Sequence, residues 1–426
     1  MSIEHIAVRP GHPDYDTART TIVGTAAPAM VLRPTDAAEV AASIRHAADT
    51  GLELAVRSGG HNALGFGNSD GGVVLDLSRL DAVEVLDGGR VRIGTGATWG
   101  AAAARLAEHG LAITSGDTVS VGVGGLTQAG GIGWMVRKYG LTIDSVLAAE
   151  VVTSAGDVVR ADPKTNSELF WGLLGGAGNF GVVSSFDYQA QPVSTVHFGL
   201  ITYALEDLSQ LLKGWREVMR SAPDELTSTL VLMPGFGDFP AGAALYVCYC
   251  GDDPSEIDPL RAIGTVTSDD VTERAYADVL EEAHPPQGVL PVIGNTLVDS
   301  LSTECIRAIV TAYEEGGRVV FLRSLGGAFG RVSPDATAFA HRDAEALVVS
   351  AKFLPEGAAA EEIEAARTTW RTIGEHGIGS YAGFLGSETP EDLAALYPAE
   401  TMARLVELKR VWDPANLFRR NFNITP

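Results

Sequence analysis

The chain has 426 residues, 46% hydrophobic and 20% charged, a length and composition that favour two globular domains. Its formal net charge of −23 makes nucleic acids and anionic membranes poor partners, because both would be repelled. Three cysteines imply no disulfide framework, and we find neither a signal peptide nor an apolar run of about 18 residues. We therefore expect a cytoplasmic protein with no nucleic-acid or membrane partner.

The first predicted elements are a strand, a helix and a strand within residues 28–56. The helix follows Asp36, whose side chain can cap it, and ends at Gly51, which can adopt the left-handed conformation of a helix terminus. Residues 52–56 form a short buried strand that leads directly into the sequence RSGGHN.

Further strands are predicted over residues 71–80 and 89–98, and Thr98 is the predicted cap of a helix that stops at Gly110. Seven glycines then lie between Ser115 and Gly133. Such a density suits backbone that lies directly against a ligand.

A hairpin is predicted over residues 147–161, with its turn at 154–157, and Ser167 is the predicted cap of the next short helix. After about residue 192 the glycine motifs stop, and strands alternate with acidic helical segments. We place a second domain at residues 195–395, followed by a helix, a turn and an extended tail over 396–426.

The sequence GAGNFG, residues 176–181, matches the GxGxxG pattern of dinucleotide sites. A Rossmann site needs a strand before this pattern and a helix after it, so that the helix N-terminus holds the pyrophosphate. Here the predicted order is reversed, which argues against a Rossmann site. A tight turn, or a contact to a nucleotide by another geometry, remains open.

RSGGHN and the loop VGVGGLTQAGGIG, residues 121–133, form the stronger pattern, because two glycine-rich loops can cradle one long ligand. The backbone N–H groups of RSGG can form an anion nest, with Arg57 either assisting or simply solvated. His61 is either a nucleophile beside a planar ring or a structural residue that bonds a neighbouring loop. Metal chemistry and serine hydrolysis lack their usual motifs in this sequence.

Together, RSGGHNALGFGNSDGGVVLDLSRL, GVGGLTQAGGIGWMVRKYGLTIDSV, SELFWGLLGGAGNFGVV and DPANLFRRNFNITP resemble the berberine-bridge-enzyme-like flavoproteins. These are FAD-linked oxidases of the vanillyl-alcohol-oxidase type. The resemblance implies an α+β fold with a two-part, PCMH-type FAD-binding domain formed by residues 1–194 and 396–426. It also implies a substrate domain at 195–395, with an antiparallel sheet covered by helices.

The resemblance further implies that FAD is covalently attached through His61. Many relatives have a second link through a cysteine, but Thr118 occupies that position, so we expect a single bond. A small Val121 near the flavin leaves room for dioxygen. Asn421 and Asn423 should reach the flavin, unless they only cap the C-terminal turns. The expected cofactor-binding residues are Arg57, Ser58, Gly59, Gly60, His61, Asn62, Ala63, Asn68, Ser69, Thr118, Val121, Gly122, Gly124, Gly125, Gly131, Ile132, Val183, Asn421 and Asn423.

The expected reaction is the oxidation of a small organic alcohol or amine, including substrates from secondary metabolism, with O2 reduced to H2O2. Tyr381 matches the base of a Tyr-x-Asn-Tyr/Phe motif, although Gly383 replaces the asparagine, and a packing role for this tyrosine is equally compatible with the sequence. His341 and Arg342 are expected to be structural. The alternatives are an oxygenase, a dehydrogenase with another acceptor, or a non-enzymatic scaffold; the sequence indicates neither the substrate nor the oligomeric state.

Overall fold

The computed structural model describes residues 3–236, 239–282 and 288–426. Three sheets dominate the fold, with helices packed between and against them. Within the described ranges, no helix is long and apolar enough to cross a membrane.

The first sheet is small and mostly parallel, in the order β1-β4-β6-β5. As predicted, Asp36 caps α2 by accepting a hydrogen bond from the Glu39 backbone N–H, and Gly51 ends the helix at φ 68°. The elements of this part are β1 (Ala7–Val8), α1 (Tyr15–Ala18), β2 (Thr20–Thr21), β3 (Gly24–Thr25), β4 (Met30–Leu32), α2 (Ala37–Thr50), β5 (Leu54–Arg57) and β6 (Val73–Asp76).

The second sheet is antiparallel and has five strands, in the order β10-β9-β11-β8-β7. The predicted hairpin is confirmed as β9 and β10, and Thr98 caps α3 as expected. The elements are β7 (Val83–Val85), β8 (Arg90–Gly94), α3 (Trp99–Ala107), α4 (Val123–Ala129), α5 (Val136–Tyr139), β9 (Val146–Val152), β10 (Val158–Ala161), α6 (Ser167–Leu173) and β11 (Val182–Gln189).

The prediction that Ser167 caps α6 is wrong. Asn166 holds the N-cap position in the left-handed conformation, at φ 51°, and Ser167 is the first helical residue. Asn tolerates this conformation better than most residues, and here its amide also donates to the Arg160 carbonyl at 2.7 Å. The preceding turn therefore decides where the helix begins.

The third sheet is antiparallel with eight strands, in the order β15-β12-β14-β13-β18-β19-β17, and β16 pairs beside β12. Its strands all lie between residues 195 and 355. The elements are β12 (Thr195–Tyr203), α7 (Leu208–Ser221), β13 (Leu226–Phe236), β14 (Phe239–Tyr249), α8 (Asp258–Arg261), β15 (Val266–Asp269), β16 (Thr272–Ala275), β17 (Val289–Val298), α9 (Thr303–Glu314), β18 (Val319–Ser324), α10 (Ala328–Arg331), β19 (Ala346–Pro355), α11 (Ala360–Gly374), α12 (Pro390–Leu396) and α13 (Ala399–Trp412).

Side chains alternate between the two faces of the third sheet, as strand geometry requires. Leu230, Leu245 and Val320 point to one face and share a buried cluster with residues of α7 and α9. The opposite face packs on the core of the first two sheets, where Leu347 and Val349 join its main cluster. This second face therefore looks toward the glycine-rich loops.

A buried arginine joins the segment before β19 of the third sheet to the segment before β9 of the second sheet. Arg342 forms a bidentate pair with Asp144, with both N–O distances at 2.8 Å, and its side chain is fully buried. His341 is also buried, and its Nε2 lies 2.9 Å from the Ala395 carbonyl oxygen. Both residues make structural contacts, in keeping with the role expected for them.

Candidate active site

RSGGHN begins where the parallel strand β5 ends, at the carboxyl edge of the first sheet. Ser58 Oγ donates to the Thr95 carbonyl at 2.5 Å and accepts from the Gly124 N–H at 3.3 Å. A Cβ on Gly59 would lie 2.3 Å from the Gly122 backbone nitrogen. The backbones of the two glycine-rich loops are therefore in direct contact. Together, residues 57–62 and 121–133 form one continuous surface, which we call the glycine floor. The sequence had suggested two loops on separate sides of a ligand.

Arg57 is not a solvated charge. It is buried, directly opposite Asp76 in the pairing of β5 with β6, and its Nη2 lies 2.9 Å from the Asp76 carboxylate. Its Nη1 is buried without a hydrogen-bond partner among the described residues. Arg57 lines a cavity of about 460 Å³ together with Arg33, Ser58 and Gly59. The lining also includes Asp14 and Asp76, so the free Nη1 of Arg57 and the backbone of Ser58 and Gly59 are the parts of this cavity that suit a phosphate-bearing ligand.

His61 is only partly buried, at the outer end of this floor. Burial lowers the pKa of its imidazole, while a hydrogen bond to the Ser120 backbone and the charge of Glu282 oppose this effect. The net pKa lies below the ordinary value of 6.5, so the ring is neutral at pH 7. A neutral imidazole has a free nitrogen lone pair and can act as a nucleophile.

The residues next to His61 differ in their exposure and in their hydrogen bonds. Asn62 accepts a hydrogen bond from the Leu64 N–H at 2.9 Å, while Ala63 is exposed. Gly60 has a φ of 72°, which favours glycine at this position. Asn68 and Ser69 are buried, and their side chains are committed to the Arg19 carbonyl and the Glu53 carboxylate.

Thr118, just before the second loop, and Val121, at its start, are partly exposed, and the backbone of Ser120 between them hydrogen-bonds His61. The backbone around Thr118 pairs with that of Glu281, which brings the segment before β17 to the floor. Further along, Gly131 has a φ of 78°, and the Ile132 carbonyl accepts from Arg323 at 3.1 Å. A Cβ on Gly125, in α4, would meet no other atom within 4 Å, so open space lies beside the backbone there.

Thr95 links the floor to the adjacent second sheet, and sequence reasoning missed it. Its hydroxyl donates to the Val183 carbonyl at 2.6 Å, and its own carbonyl accepts from Ser58. Val183 itself is buried in β11. A threonine after a strand carries no distinctive sequence signal, because its partners lie 37 and 88 residues away.

GAGNFG anchors the C-terminal tail. The amide of Asn179 donates to the Phe422 carbonyl at 3.1 Å, and its oxygen accepts from the Ile424 N–H at 3.0 Å. Asn421 donates to the Gly178 carbonyl at 3.1 Å. Phe422 also packs edge-on against Phe66, with ring centroids 5.2 Å apart, and Arg420 donates to the Asn68 carbonyl at 3.1 Å, so the tail lies close to the segment that follows RSGGHN.

Lys409 completes this anchor and was also missed from the sequence. It is fully buried and donates to Asp413 at 2.7 Å, to the Asn179 carbonyl at 2.9 Å and to the Phe418 carbonyl at 2.8 Å. A lysine in an amphipathic helix is ordinarily solvated, so the helical pattern alone carried no signal.

Tyr381 is buried on the loop that follows α11, and the side chain of Asn295 hydrogen-bonds its backbone. The Tyr381 N–H donates to Asn295 Oδ1 at 2.7 Å, and Asn295 Nδ2 donates to the Tyr381 carbonyl at 2.9 Å. Burial raises the pKa of the Tyr381 phenol to about 12, although the backbone of Gly131 and Ile132 hydrogen-bonds to it and acts in the opposite direction. The phenol is therefore neutral at pH 7 and adjoins the second glycine loop.

Buried polar atoms without a hydrogen-bond partner indicate whether the glycine loops and the tail could bind FAD. Among the described residues, the side-chain oxygens of Ser120, Gln128, Asn421 and Asn423 are buried without a hydrogen-bond partner. Such atoms are rare in protein interiors unless a ligand or water satisfies them. Ser120 and Gln128 lie in or next to the second glycine loop, and Asn421 and Asn423 in the tail, so both segments offer free acceptors that a dinucleotide could use.

Comparison with known families agrees with this geometry. Residues 28–162 match the family described as FAD binding domain, and residues 391–425 match that described as berberine and berberine like. (R)-6-hydroxynicotine oxidase of Paenarthrobacter nicotinovorans is 32% identical over 421 residues, covering 94% of this chain and 91% of the relative. The chain belongs to the berberine-bridge-enzyme-like family. Its relatives are FAD-linked oxidoreductases, which confirms the expected class of enzyme and cofactor.

Solved structures of berberine-bridge-enzyme-like proteins show the same α+β fold. Crystalline 6-hydroxy-D-nicotine oxidase from Arthrobacter nicotinovorans has a TM-score of 0.88 at 29% identity, covering 100% of this chain and 98% of its own. Glucooligosaccharide oxidase from Acremonium strictum has a TM-score of 0.83 at 22% identity, covering 97% and 95%. That enzyme has a 6-S-cysteinyl, 8α-N1-histidyl FAD. The predicted fold class is therefore confirmed.

Arg137 and Lys138 form a short basic pair, and such side chains are ordinarily solvated. Arg137 is buried, and its guanidinium donates to the carbonyls of Leu325 and Ala222. Lys138 donates to the Cys250 carbonyl at 2.6 Å. Both residues instead bind the third sheet and its adjoining segments.

Proposed function

We propose that this protein is an oxidase with FAD covalently attached through His61 alone. It oxidises a small organic alcohol or amine by hydride transfer, and dioxygen is reduced to hydrogen peroxide. The observation that carries the proposal is the neutral, partly exposed imidazole of His61 at the end of a glycine floor. When bound, FAD supplies the hydride acceptor and delivers the electrons to dioxygen.

The chain's own residues support binding along the whole length of such a cofactor. The N–H groups of Ser58 to His61, with the unpartnered Nη1 of Arg57, would hold the diphosphate. The unpartnered oxygens of Asn421 and Asn423 would accept hydrogen bonds at the opposite side. Thr118 has no thiol, which supports a single covalent link.

For an alcohol substrate, Tyr381 would accept the hydroxyl proton. The backbone hydrogen bonds from Gly131 and Ile132, and the nearby Arg323 charge, stabilise the phenolate. Asn295 fixes the backbone of Tyr381, so that the phenol keeps its position. An amine substrate, once neutral, needs no such base. The small side chain of Val121, partly exposed in the second loop, supports access of dioxygen.

The covalent link is tested by precipitating the purified protein with acid and inspecting the pellet. The wild-type pellet should be yellow, because a covalent bond survives denaturation, and the His61→Ala pellet should be white. His109→Ala, a change at an exposed histidine, is the matched control and should stay yellow. A colourless wild-type pellet contradicts the covalent link.

The oxidase reaction is tested by measuring hydrogen peroxide during turnover. One peroxide per substrate oxidised supports an oxidase. A reaction without peroxide would instead indicate an oxygenase or a dehydrogenase that uses another acceptor.

A further inference from the structure

A second cavity, of about 830 Å³, lies beside β17 at the edge of the third sheet. Its lining lies outside the glycine floor and comes from β17, the C-terminal half of α11, the segment 375–395 and Arg318. Gly294 faces α11, because a Cβ there would lie 2.3 Å from Trp370 Nε1. Gly294 pairs with Ser350, the neighbour of Val349, so this side of β17 is opposite to the one that looks toward the glycine loops. A cavity of this volume is large enough for a small molecule.

Arg318 is a buried cation at the Val292 end of this cavity. It is 1% exposed, and its guanidinium donates to Ser350 Oγ at 2.5 Å, to the Ala366 carbonyl at 2.8 Å, and to the carbonyls of Val292 and Ser350 at 3.1 and 3.3 Å. All four acceptors are uncharged, and Arg318 forms no ion pair within the described ranges. A guanidinium has five N–H groups, so one N–H of Nη1 is left without an acceptor among these residues.

The charge of Arg318 therefore lacks a compensating anion in the described part of the protein. Burial lowers the pKa of its guanidinium to about 10, so the side chain still carries its charge at pH 7. A buried cation without an anion is unfavourable, and a negatively charged group in the cavity would stabilise it. Arg367 and Arg371, one turn apart on α11, add positive charge to the lining, and both are exposed.

The lining also contains three carboxylates, at positions where they do not compensate Arg318. Glu375 and Glu391 are exposed to solvent. The Asp392 carboxylate accepts a hydrogen bond from the Thr389 N–H at 2.9 Å, as part of the cap of α12. The buried charge of the cavity is therefore positive, whereas its negative charges are solvated or already bonded.

Apolar side chains form much of the remaining wall. Trp370 is only half-buried, and Ile378 is 37% exposed although it is a large hydrophobic residue. The aliphatic side chains that line the cavity beside them are Val292, Ile293 and Leu385. A flat indole next to aliphatic groups favours a ligand with a flat, apolar body.

We propose that this cavity binds a small aromatic carboxylate, with the carboxylate toward Arg318 and the ring against Trp370. The carboxylate would accept the free N–H of Arg318 in a charge-assisted hydrogen bond and supply the missing negative charge. An uncharged ligand would leave the buried cation uncompensated. A ligand with several negative charges would meet Glu375 and Glu391. The site is separate from the one proposed for FAD, so it does not depend on how the flavin is attached.

The test measures binding of three probes to the flavin-containing protein by isothermal titration calorimetry at pH 7. Benzoate should bind. Benzamide, which has the same ring but no charge, and acetate, which has the charge but no ring, should each bind at least about tenfold more weakly. Benzoate should also leave the flavin absorbance unchanged, because the cavity lies outside the glycine floor.

Arg318→Gln should weaken benzoate binding by about tenfold or more. If this variant does not fold, the double change Arg367→Gln and Arg371→Gln alters only exposed positions and should still weaken binding by about threefold or more. Arg307→Gln, at an exposed arginine of α9 outside the cavity, is the matched control and should bind benzoate as the wild type does.

Four results overturn the proposal: no binding of benzoate, equal binding of benzamide or acetate, a flavin absorbance that changes as benzoate binds, or unchanged affinity in the cavity variants. A change in flavin absorbance would place benzoate at the candidate active site instead.

Discussion

At the residue scale, the position of the Tyr381 ring accounts for glycine at residue 383, where the Tyr-x-Asn-Tyr/Phe motif considered in the sequence analysis has an asparagine. A Cβ at Gly383 would lie 2.5 Å from the Tyr381 ring, which is itself buried against Phe339 and Phe384. A confined ring cannot easily move away, so an asparagine does not fit this conformation. The phenol of Tyr381 is instead hydrogen-bonded by the backbone of Gly131 and Ile132.

Tyr381→Phe should lower kcat for an alcohol substrate by about 100-fold or more, if the phenol accepts its proton. Because the pKa of Tyr381 is raised to about 12, its phenolate fraction grows with pH. The wild-type kcat/KM should therefore rise between pH 7 and 10, and this rise should vanish in the variant. Tyr203→Phe, at a buried tyrosine of the helix-covered side, is the control and should keep the rise. An unchanged pH profile in Tyr381→Phe would exclude the proposed base.

The sequence predicted residue roles well where the partners are local. The caps at Asp36 and Thr98 follow from residues three positions away, and both are confirmed. The pairing of Arg57 with Asp76 was not predicted, because it depends on which strands become neighbours in a parallel sheet. The roles proposed for His61 and Tyr381 came from a family resemblance and stay predictions.

At the element scale, the contact between the two glycine loops depends on the absence of side chains. Gly59 and Gly122 lie so close that a Cβ on either one would overlap the backbone of the other. The sequence showed the glycine density but not which loops would meet, because the contact joins positions 63 residues apart. Close backbone approach is therefore the reason for glycine at these two positions, whereas Gly60 requires its positive φ.

Gly59→Ala should destabilise the protein by about 2 kcal/mol or more, since neither backbone segment can move without breaking the floor. The flavin content should fall with it, because the same loop would hold the diphosphate. Gly374→Ala is the matched control: it has open space around it, lies at the end of α11, and should be neutral or slightly stabilising. Both variants are compared by chemical denaturation and by flavin absorbance; equal stability of the two would contradict the close contact.

A second prediction at this scale concerns the contacts of Lys409, which hold the C-terminal tail. Lys409→Met should cost about 3–5 kcal/mol, because it leaves the buried Asp413 carboxylate without its cation. Arg410→Gln changes the next helix position, whose pair with Glu407 is exposed, and should alter stability by at most about 1 kcal/mol. Thermal unfolding and flavin retention measure both effects. A Lys409→Met protein with wild-type stability would show that the anchor is dispensable.

At the scale of the whole molecule, the candidate site combines the glycine loops with Tyr381, which lies far along the chain, and a buried ion pair joins these two parts of the chain. Asp144 and Arg342 are 198 residues apart, and so distant a pair cannot be read from local patterns. The sequence predicted the α+β class and the family correctly, since these depend on ordered motifs. It did not reveal the arginine contacts between the halves, because burial of a charge is decided only by the assembled fold.

Arg342→Lys should destabilise the protein by about 1–3 kcal/mol, because a lysine cannot reproduce the bidentate bond to Asp144. Arg404→Lys is the matched control, since Arg404 makes the same bidentate pair with Glu168 at the surface. Its expected cost is at most about 1 kcal/mol. The two variants are compared by calorimetry, and equal losses would contradict a special role for the buried pair.

The attachment of GAGNFG to residues 418–424 also constrains when the protein can capture its cofactor during biosynthesis. Before residues 418–424 have been synthesised, Asn179 lacks its Phe422 and Ile424 partners, and neither Asn421 nor Asn423 is present. The residues of the first two sheets are synthesised earlier, but a flavin bound at that stage would lack the contacts proposed for Asn421 and Asn423. If FAD binds as proposed, its capture and its bonding to His61 would therefore follow the synthesis of residues 418–424.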